Sequence, residues 1–246
     1  MNILLFTGKY STSSIPFLKE FKNRLPYDKL IIFLSEPMNK SNSFSLLRIL
    51  KNNKVSYMLR KVLQLSDAFL RARLIGMFPF MGVKYVHEYI NREKAKYYNI
   101  DDINSGETIR IIRENQIDIL AMYDCGQILK KTTIESASIA CINVHPSLLP
   151  KYRGTSPIYW VLKNKEKETG VTIHLVDKGV DTGDIILQSK IDISPGMTEK
   201  MLTQRLSCLA AEMLFKVVDK FKKNTVRPTK QDNSKATYFN NLRQVY

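Results

Sequence analysis

The segment Asn143-Val144-His145-Pro146-Ser147-Leu148-Leu149-Pro150-Lys151-Tyr152-Arg153-Gly154 concentrates the residue types that do chemistry. Asn143 and His145 stand at i and i+2 near the end of an apolar run that reads as a strand, so both side chains leave the same face of a sheet. By itself the pair is a weak signal, because a hydrogen-bonded edge histidine is the commoner outcome. A second cluster strengthens it: Thr169-Gly170-Val171-Thr172-Ile173-His174, then Asp177-Lys178-Gly179-Val180-Asp181-Thr182-Gly183-Asp184. Gly179 and Gly183 bracket Asp181 in a tight loop that can bring a carboxylate beside the pair. The plain alternative is a polar turn between two strands. An amide, an imidazole and a carboxylate together suit acyl transfer through a tetrahedral intermediate, whose oxyanion needs hydrogen-bond donors.

Such a set needs a scaffold, and the hydrophobic pattern predicts one. Residues 2–7 and 30–34 read as buried strands, and 14–25 as a helix with Phe17, Leu18, Phe21 and Leu25 on one side and Ser14 as its N-cap. Further strands are expected at 95–100, 117–123, 139–144, 171–176 (alternating between faces) and 184–193. Helices are expected at 108–115 and 156–163. Residues 198–221 form a long amphipathic helix, with Leu202, Leu206, Leu209, Met213, Val217 and Val218 along one side. The alternation defines an α/β fold with a doubly wound, mostly parallel sheet. The first turn, Gly8 to Ser14, is neither G-x-G-x-x-G nor a P-loop, which argues against a dehydrogenase and an NTPase. It still lies at a carboxyl edge, where such sheets hold ligands. Residues 40–92 interrupt the alternation as two or three helices. The expected organisation is one catalytic domain over 1–226 with a helical insertion at about 40–92, then a polar tail over 227–246 and no second domain.

Composition bounds the rest. The chain has 246 residues, 44% hydrophobic and 25% charged, which is globular rather than disordered. The longest apolar run, 74–83, is interrupted by Pro79 and is too short to span a bilayer. The N-terminus lacks a basic leader region. Three cysteines match no zinc spacing, so a reduced, cytoplasmic protein without a metal site is expected. Lys and Arg number 38 against 23 acids. Between 40 and 100 there are twelve basic residues and three acids. That excess suits an anionic partner (a nucleotide diphosphate, RNA or an acidic membrane face) or a solvated helical surface.

The string 143–154, with Glu168-Thr169-Gly170-Val171-Thr172 and Val180-Asp181-Thr182-Gly183, closely resembles the 10-formyltetrahydrofolate-dependent formyltransferases. The resemblance is specific over about 118–188, weaker over 1–36 and 95–117, and absent from the basic insertion. It implies a catalytic triad of Asn143, His145 and Asp181, and 10-formyltetrahydrofolate as cofactor. The folate would lie against Met122-Tyr123-Asp124-Cys125-Gly126-Gln127-Ile128-Leu129. Backbone groups of Gln127 and Leu129, with Ile128 between them, would meet the pterin, and Asp177, Val180 and Asp181 would close its other edge. Cys125 departs from the common pattern and is assigned no role. The implied reaction is direct formyl transfer to an amine. Asn143 and a protonated His145 would stabilise the oxyanion, and Asp181 would keep His145 charged and oriented.

The resemblance also narrows the acceptor. Tyr152-Arg153-Gly154-Thr155-Ser156-Pro157-Ile158 is similar to the methionyl-tRNA and sugar branches of the family, less so to the glycinamide ribonucleotide branch. His174 and Trp160-Val161-Leu162-Lys163-Asn164 resemble the sugar branch. Residues 228–239 look like the linker that precedes an RNA-gripping β-barrel in the tRNA enzymes, and the sequence stops at Tyr246. The expectation is a sugar N-formyltransferase acting on a nucleotide-linked amino sugar, dTDP-4-amino-4,6-dideoxyglucose or a close relative, for surface-polysaccharide (O-antigen) synthesis. Lys9, Tyr10, Arg153 and His174 are its candidate acceptor contacts, although Arg153 equally reads as a loop brace. The alternatives are a methionyl-tRNA formyltransferase without the usual C-terminal domain, a metal-dependent deacylase using His145, His174 and Asp181, and a non-catalytic RNA-binding relative. The first reading expects neither nucleic acid nor membrane insertion. The long helix either covers the sheet or pairs with a second copy.

Overall fold

The computed structural model describes residues 1–9, 11, 13–24, 30–35 and 85–239. The readings made at Tyr10, Leu25 and most of 40–92 lie outside these residues. Strands are β1 (Ile3–Gly8), β2 (Leu30–Ser35), β3 (Tyr97–Ile100), β4 (Ile119–Met122), β5 (Ala140–His145), β6 (Arg153–Gly154), β7 (Glu168–Leu175), β8 (Ile185–Asp192) and β9 (Tyr238–Phe239). Helices are α1 (Ser14–Lys22), α2 (Val86–Glu93), α3 (Gly106–Glu114), α4 (Lys131–Ile134), α5 (Pro157–Lys163) and α6 (Glu199–Lys222). Among the described residues, seven strands form one sheet in the order β3-β2-β1-β4-β5-β7-β8. The pairs from β3 to β5 are parallel, and β7 and β8 are added antiparallel. β6 and β9 pair in parallel as a separate two-stranded ribbon.

The apolar runs explain the centre. β1, β2 and β4 are buried almost throughout, as parallel strands covered on both faces must be. Leu4 and Phe6 of β1 join Ile31 and Phe33 of β2 and Leu120 of β4 in a core closed by Ile111 and Ile112 of α3. Phe17, Leu18 and Phe21 of α1 are buried, and Phe17 stacks on Tyr123 at 4.4 Å between ring centroids. Each such side chain stabilises the fold by about 1.5–3 kcal/mol. α6 begins at Thr198, whose hydroxyl accepts a hydrogen bond from the Met201 amide at 3.3 Å. It buries Leu202, Leu206, Ala210, Met213, Leu214, Val217 and Val218, while Leu209 stands half-buried at the edge of that stripe. The Tyr123 hydroxyl and Ser207 Oγ, 2.9 Å apart, tie α6 to the end of β4.

One local expectation is corrected. Ser14 is not the cap of α1: Ser13 holds that position without a side-chain capping bond, its hydroxyl going to Asp124 instead, and Ser14 is turned inward against Thr7 Oγ1 at 2.6 Å. β7 alternates between faces as expected, and both of those faces are covered. Its residues from Thr169 to His174 are all buried, because α6 packs on the strand and the loop after β5 bonds to it, Leu149 N donating to Thr172 Oγ1 at 3.1 Å.

Candidate active site

β5 delivers the amide and the imidazole. Its antiparallel register with β7 sets Asn143 opposite His174 and His145 opposite Thr172. Asp181 arrives on the β7–β8 loop. Asn143 Nδ2 donates to Asp181 Oδ1 at 3.0 Å, and His145 Nδ1 lies 3.6 Å from Asp181 Oδ2. The structure therefore brings Asn143, His145 and Asp181 together, with His174 Nε2 3.6 Å from the same carboxylate. Asp181 adopts φ 54°, left-handed for a side chain with a Cβ, which costs roughly 1–2 kcal/mol. Three bonds hold it there: the one from Asn143, the Gly154 amide to Oδ2 at 2.8 Å, and the Gln231 side chain to the Asp181 carbonyl at 2.9 Å. Gly183 ends the loop so close to Leu175 that a Cβ would sit 1.8 Å from its carbonyl oxygen.

The hydrogen bonds fix where the protons are. His145 Nε2 is 2.8 Å from the Tyr152 carbonyl, which can only accept, so Nε2 carries the proton. In the neutral ring Nδ1 then presents a lone pair toward Asp181. His174 Nδ1 donates to the Leu175 carbonyl at 2.8 Å, which leaves Nε2 to accept from Asn143 Nδ2 at 3.2 Å. Both amide hydrogens of Asn143 are thus engaged, one by Asp181 and one by His174. Burial lowers the pKa of His145 below the ordinary 6.5, and the Asp181 charge and the Tyr152 bond recover only part of the loss. Burial opposes ionisation of Asp181 as well. There the His145 charge, the His174 ring and the Gly154 amide outweigh it, and the carboxyl titrates well below the usual range. At neutral pH the pair is carboxylate and neutral imidazole. On acidification the imidazole takes the proton first and then keeps the carboxylate ionised.

These groups open on a cleft of about 760 Å³ at the carboxyl ends of β1, β4 and β5. The chain order reverses between β1 and β4, where open α/β sheets bind ligands. The volume falls in the range of small-molecule sites. The segment from Met122 to Leu129 forms one wall, with Ile128 66% exposed. Gln127 is turned inward: its Nε2 donates to the Asp101 carbonyl at 2.9 Å and its Oε1 accepts from Ile103 N at 3.2 Å. Its backbone, not its side chain, is what the cleft can use. Asp177 and Val180 lie on the opposite wall. The Asp177 carboxylate also braces its own loop through Gly179 N at 3.0 Å and Thr182 Oγ1 at 2.7 Å. Among the described lining residues Asp124, Asp177, Asp181 and Glu199 are acids, and none is Lys or Arg.

The acceptor contacts read from sequence fare differently. Arg153 is 7% exposed and its guanidinium donates to Gln231 Oε1 at 2.7 and 3.2 Å and to Asn233 Oδ1 at 2.8 Å, so it braces the tail rather than facing the cleft. His174, 2% exposed, has both ring nitrogens committed and supports Asn143 from behind. Lys9 does not line the described cleft, and Tyr10 lies outside the described residues. His145, His174 and Asp181 do not form a metal-ligand group; no such group occurs among the described residues. Tyr152, whose carbonyl orients His145, and Gln231, which ties down Asp181, were not singled out from sequence. Neither carries a local signal of that role. No helix among the described residues is long and apolar enough to cross a membrane.

The comparisons agree with this architecture. The formyl transferase family profile matches residues 84–218, more than half of the chain, and the protein belongs to that family. A methionyl-tRNA formyltransferase from Synechococcus sp. is 41% identical over 141 residues, 54% of this chain and 44% of its own length. One from Thermotoga maritima is 37% identical over 168 residues, 68% of this chain and 52% of its own. The chain thus spans about half the length of the curated relatives it matches. An N-formyltransferase from Helicobacter canadensis, solved with folinic acid and dTDP-3-aminofucose, shares the fold at TM-score 0.63 and 21% identity, covering all of this chain and 72% of that one. Phosphoribosylglycinamide formyltransferase from Bacillus halodurans shares it at TM-score 0.59 and 21% identity, covering 89% and 96%.

Proposed function

We propose that the protein is an N-formyltransferase that uses 10-formyltetrahydrofolate as donor and the amine of a nucleotide-linked amino sugar as acceptor. One observation carries the reading: His145 Nδ1 stands 3.6 Å from Asp181 and beside Asn143 on the wall of a cleft sized for a small molecule. Bound there, the donor supplies a formyl group on N10; the amine nitrogen bonds to its carbon, the bond to N10 breaks, and the amine proton ends on N10. His145 Nδ1 accepts that proton as the amine attacks, becomes an imidazolium stabilised by Asp181, and gives the proton back to the leaving nitrogen. The charged Nδ1–H and an Asn143 amide hydrogen released from His174 serve the oxyanion. The acidic cleft attracts the ammonium form of the amine, which gives up one proton to solvent before the neutral nitrogen attacks. The exposed Ile128 offers an apolar surface for the flat ring of the donor.

For the acceptor, the sugar reading rests on likeness to a fold relative solved with a dTDP-linked amino sugar and on the 152–164 string. We infer dTDP-4-amino-4,6-dideoxyglucose or a close relative, used in surface polysaccharide. A second reading, methionyl-tRNA, is favoured by the identity of 37–41% to enzymes of that name. A parallel screen of dTDP- and UDP-linked amino sugars, glycinamide ribonucleotide and methionyl-tRNA, followed by tetrahydrofolate release, separates them. Turnover with a sugar nucleotide supports the first reading. Turnover with methionyl-tRNA alone overturns it.

A further inference from the structure

The segment after α6 makes more contacts with the catalytic loops than a trailing tail requires. Thr229 exchanges backbone bonds with Ile185 at 2.8 Å each way, at the start of β8. Thr237 accepts from Arg153 N at 2.9 Å through its carbonyl and from Tyr152 N at 2.8 Å through its hydroxyl. Phe239 accepts from Thr155 N at 2.9 Å and lies against Tyr152 and Trp160, with centroids 5.3 and 4.7 Å away. These contacts strap the loop that holds Tyr152 and Gly154, the backbone partners of His145 and Asp181.

Gln231 stands at the centre of the strap and uses its whole amide. Nε2 donates to the carbonyls of Asp181 at 2.9 Å and Gly183 at 2.7 Å, while Oε1 receives two hydrogens from Arg153. One side chain therefore grips the left-handed Asp181 peptide from below and the Arg153–Gly154 strand whose amide meets the Asp181 carboxylate. Nothing else among the described residues joins those two loops to the tail in this way. We infer that Gln231 is a positioning residue that sets the Asp181 carboxylate against His145 and Asn143, so that the strap completes the active site. This rests on the formyl-transfer reading for its kinetic consequence but not for its structural one.

Two variants of the full chain divide the possibilities. Gln231→Met removes both the donors and the acceptor. Gln231→Glu restores an acceptor for Arg153 but offers no hydrogen to Asp181 or Gly183. If Gln231 acts through Asp181, both lose at least tenfold in kcat with KM for the donor within threefold of wild type, and Lys230→Ala, at an exposed tail position, matches wild type. Recovery of wild-type kcat in Gln231→Glu would reduce the residue to a brace for Arg153 and overturn the proposal. Histidine NMR titration needs no turnover, and the chain has only three histidines to assign. The ionisable groups facing His145 are Asp181 and His174. Displacing the carboxylate in Gln231→Met moves the His145 titration to lower pH; an unmoved titration contradicts the proposal. Should the wild type transfer formyl to no acceptor, the titration still decides the positioning role while the functional reading falls. Unfolding of both variants would assign the strap to the fold alone and overturn it equally.

Discussion

His145 Nε2 lies 2.8 Å from the carbonyl oxygen of Tyr152, and that single bond decides which nitrogen can take a proton during catalysis. With Nε2 protonated, Nδ1 is the basic atom. Burial holds its pKa under 6.5, so it is neutral at physiological pH and ready to accept. The rate must then rise with pH through a value below 6.5 and fall as pH drops and Nδ1 fills. Initial rates between pH 4.5 and 8 check this. A rate that climbs as pH falls across that range would mean His145 works as a pre-protonated acid.

Asp181→Asn removes the charge that stabilises the imidazolium. We expect kcat to fall about 10²–10³-fold, the range seen when one electrostatic partner of a transition state is deleted. The sign of the pH effect follows from the same charge: without it His145 is harder to protonate, and the acidic limb moves to lower pH. Wild-type turnover with an unshifted profile would remove Asp181 from the mechanism.

His174 competes for an Asn143 hydrogen at 3.2 Å. His174→Leu frees that hydrogen and also lets the amide rotate. The loss of order outweighs the freed donor, and kcat is expected to drop by about tenfold, near the cost of one net hydrogen bond to the site. The donor KM should stay near wild type, since His174 is nearly inaccessible at 2% exposure. Steady-state kinetics in donor and acceptor separate the two.

Gly154 combines φ 95° with a Cβ position 2.3 Å from the Phe239 carbonyl oxygen. Gly154→Ala must therefore break the β6–β9 pairing or strain it. A loss of about 1–3 kcal/mol is expected from the backbone conformation and the displaced aromatic stack. Chemical denaturation checks it, with Gly106→Ala, where nothing lies within 4 Å of the added carbon, as the comparison.

Much of this is legible in the sequence. The apolar runs at β1, β2 and β4 read as strands of a mostly parallel sheet, and two residues of strand spacing put Asn143 and His145 on one face. The glycines at 179 and 183 marked the loop that carries Asp181. What escaped reading depended on tertiary contact. Arg153 reads from sequence equally as an acceptor contact and as a loop brace, and the partners that decide for the brace, Gln231 and Asn233, lie 78 and 80 residues further on. The protonation of His145 follows from burial, which no local pattern reports. β6 and β9 are two residues each, too short for any periodicity, and the burial of β7 on both faces depends on the helix and the loop packed against it.

The central claim is that His145 moves the amine proton while the formyl group passes directly to the acceptor. Its most direct test supplies donor labelled in the formyl group, with the acceptor that the screen selects, to wild type and to His145→Ala. Donor binding is followed separately by fluorescence titration. The account predicts label in the N-formyl product for the wild type and a loss of about 10²–10⁴-fold in His145→Ala with donor binding retained. Label released as formate by the wild type, or transfer undiminished in His145→Ala, would contradict it.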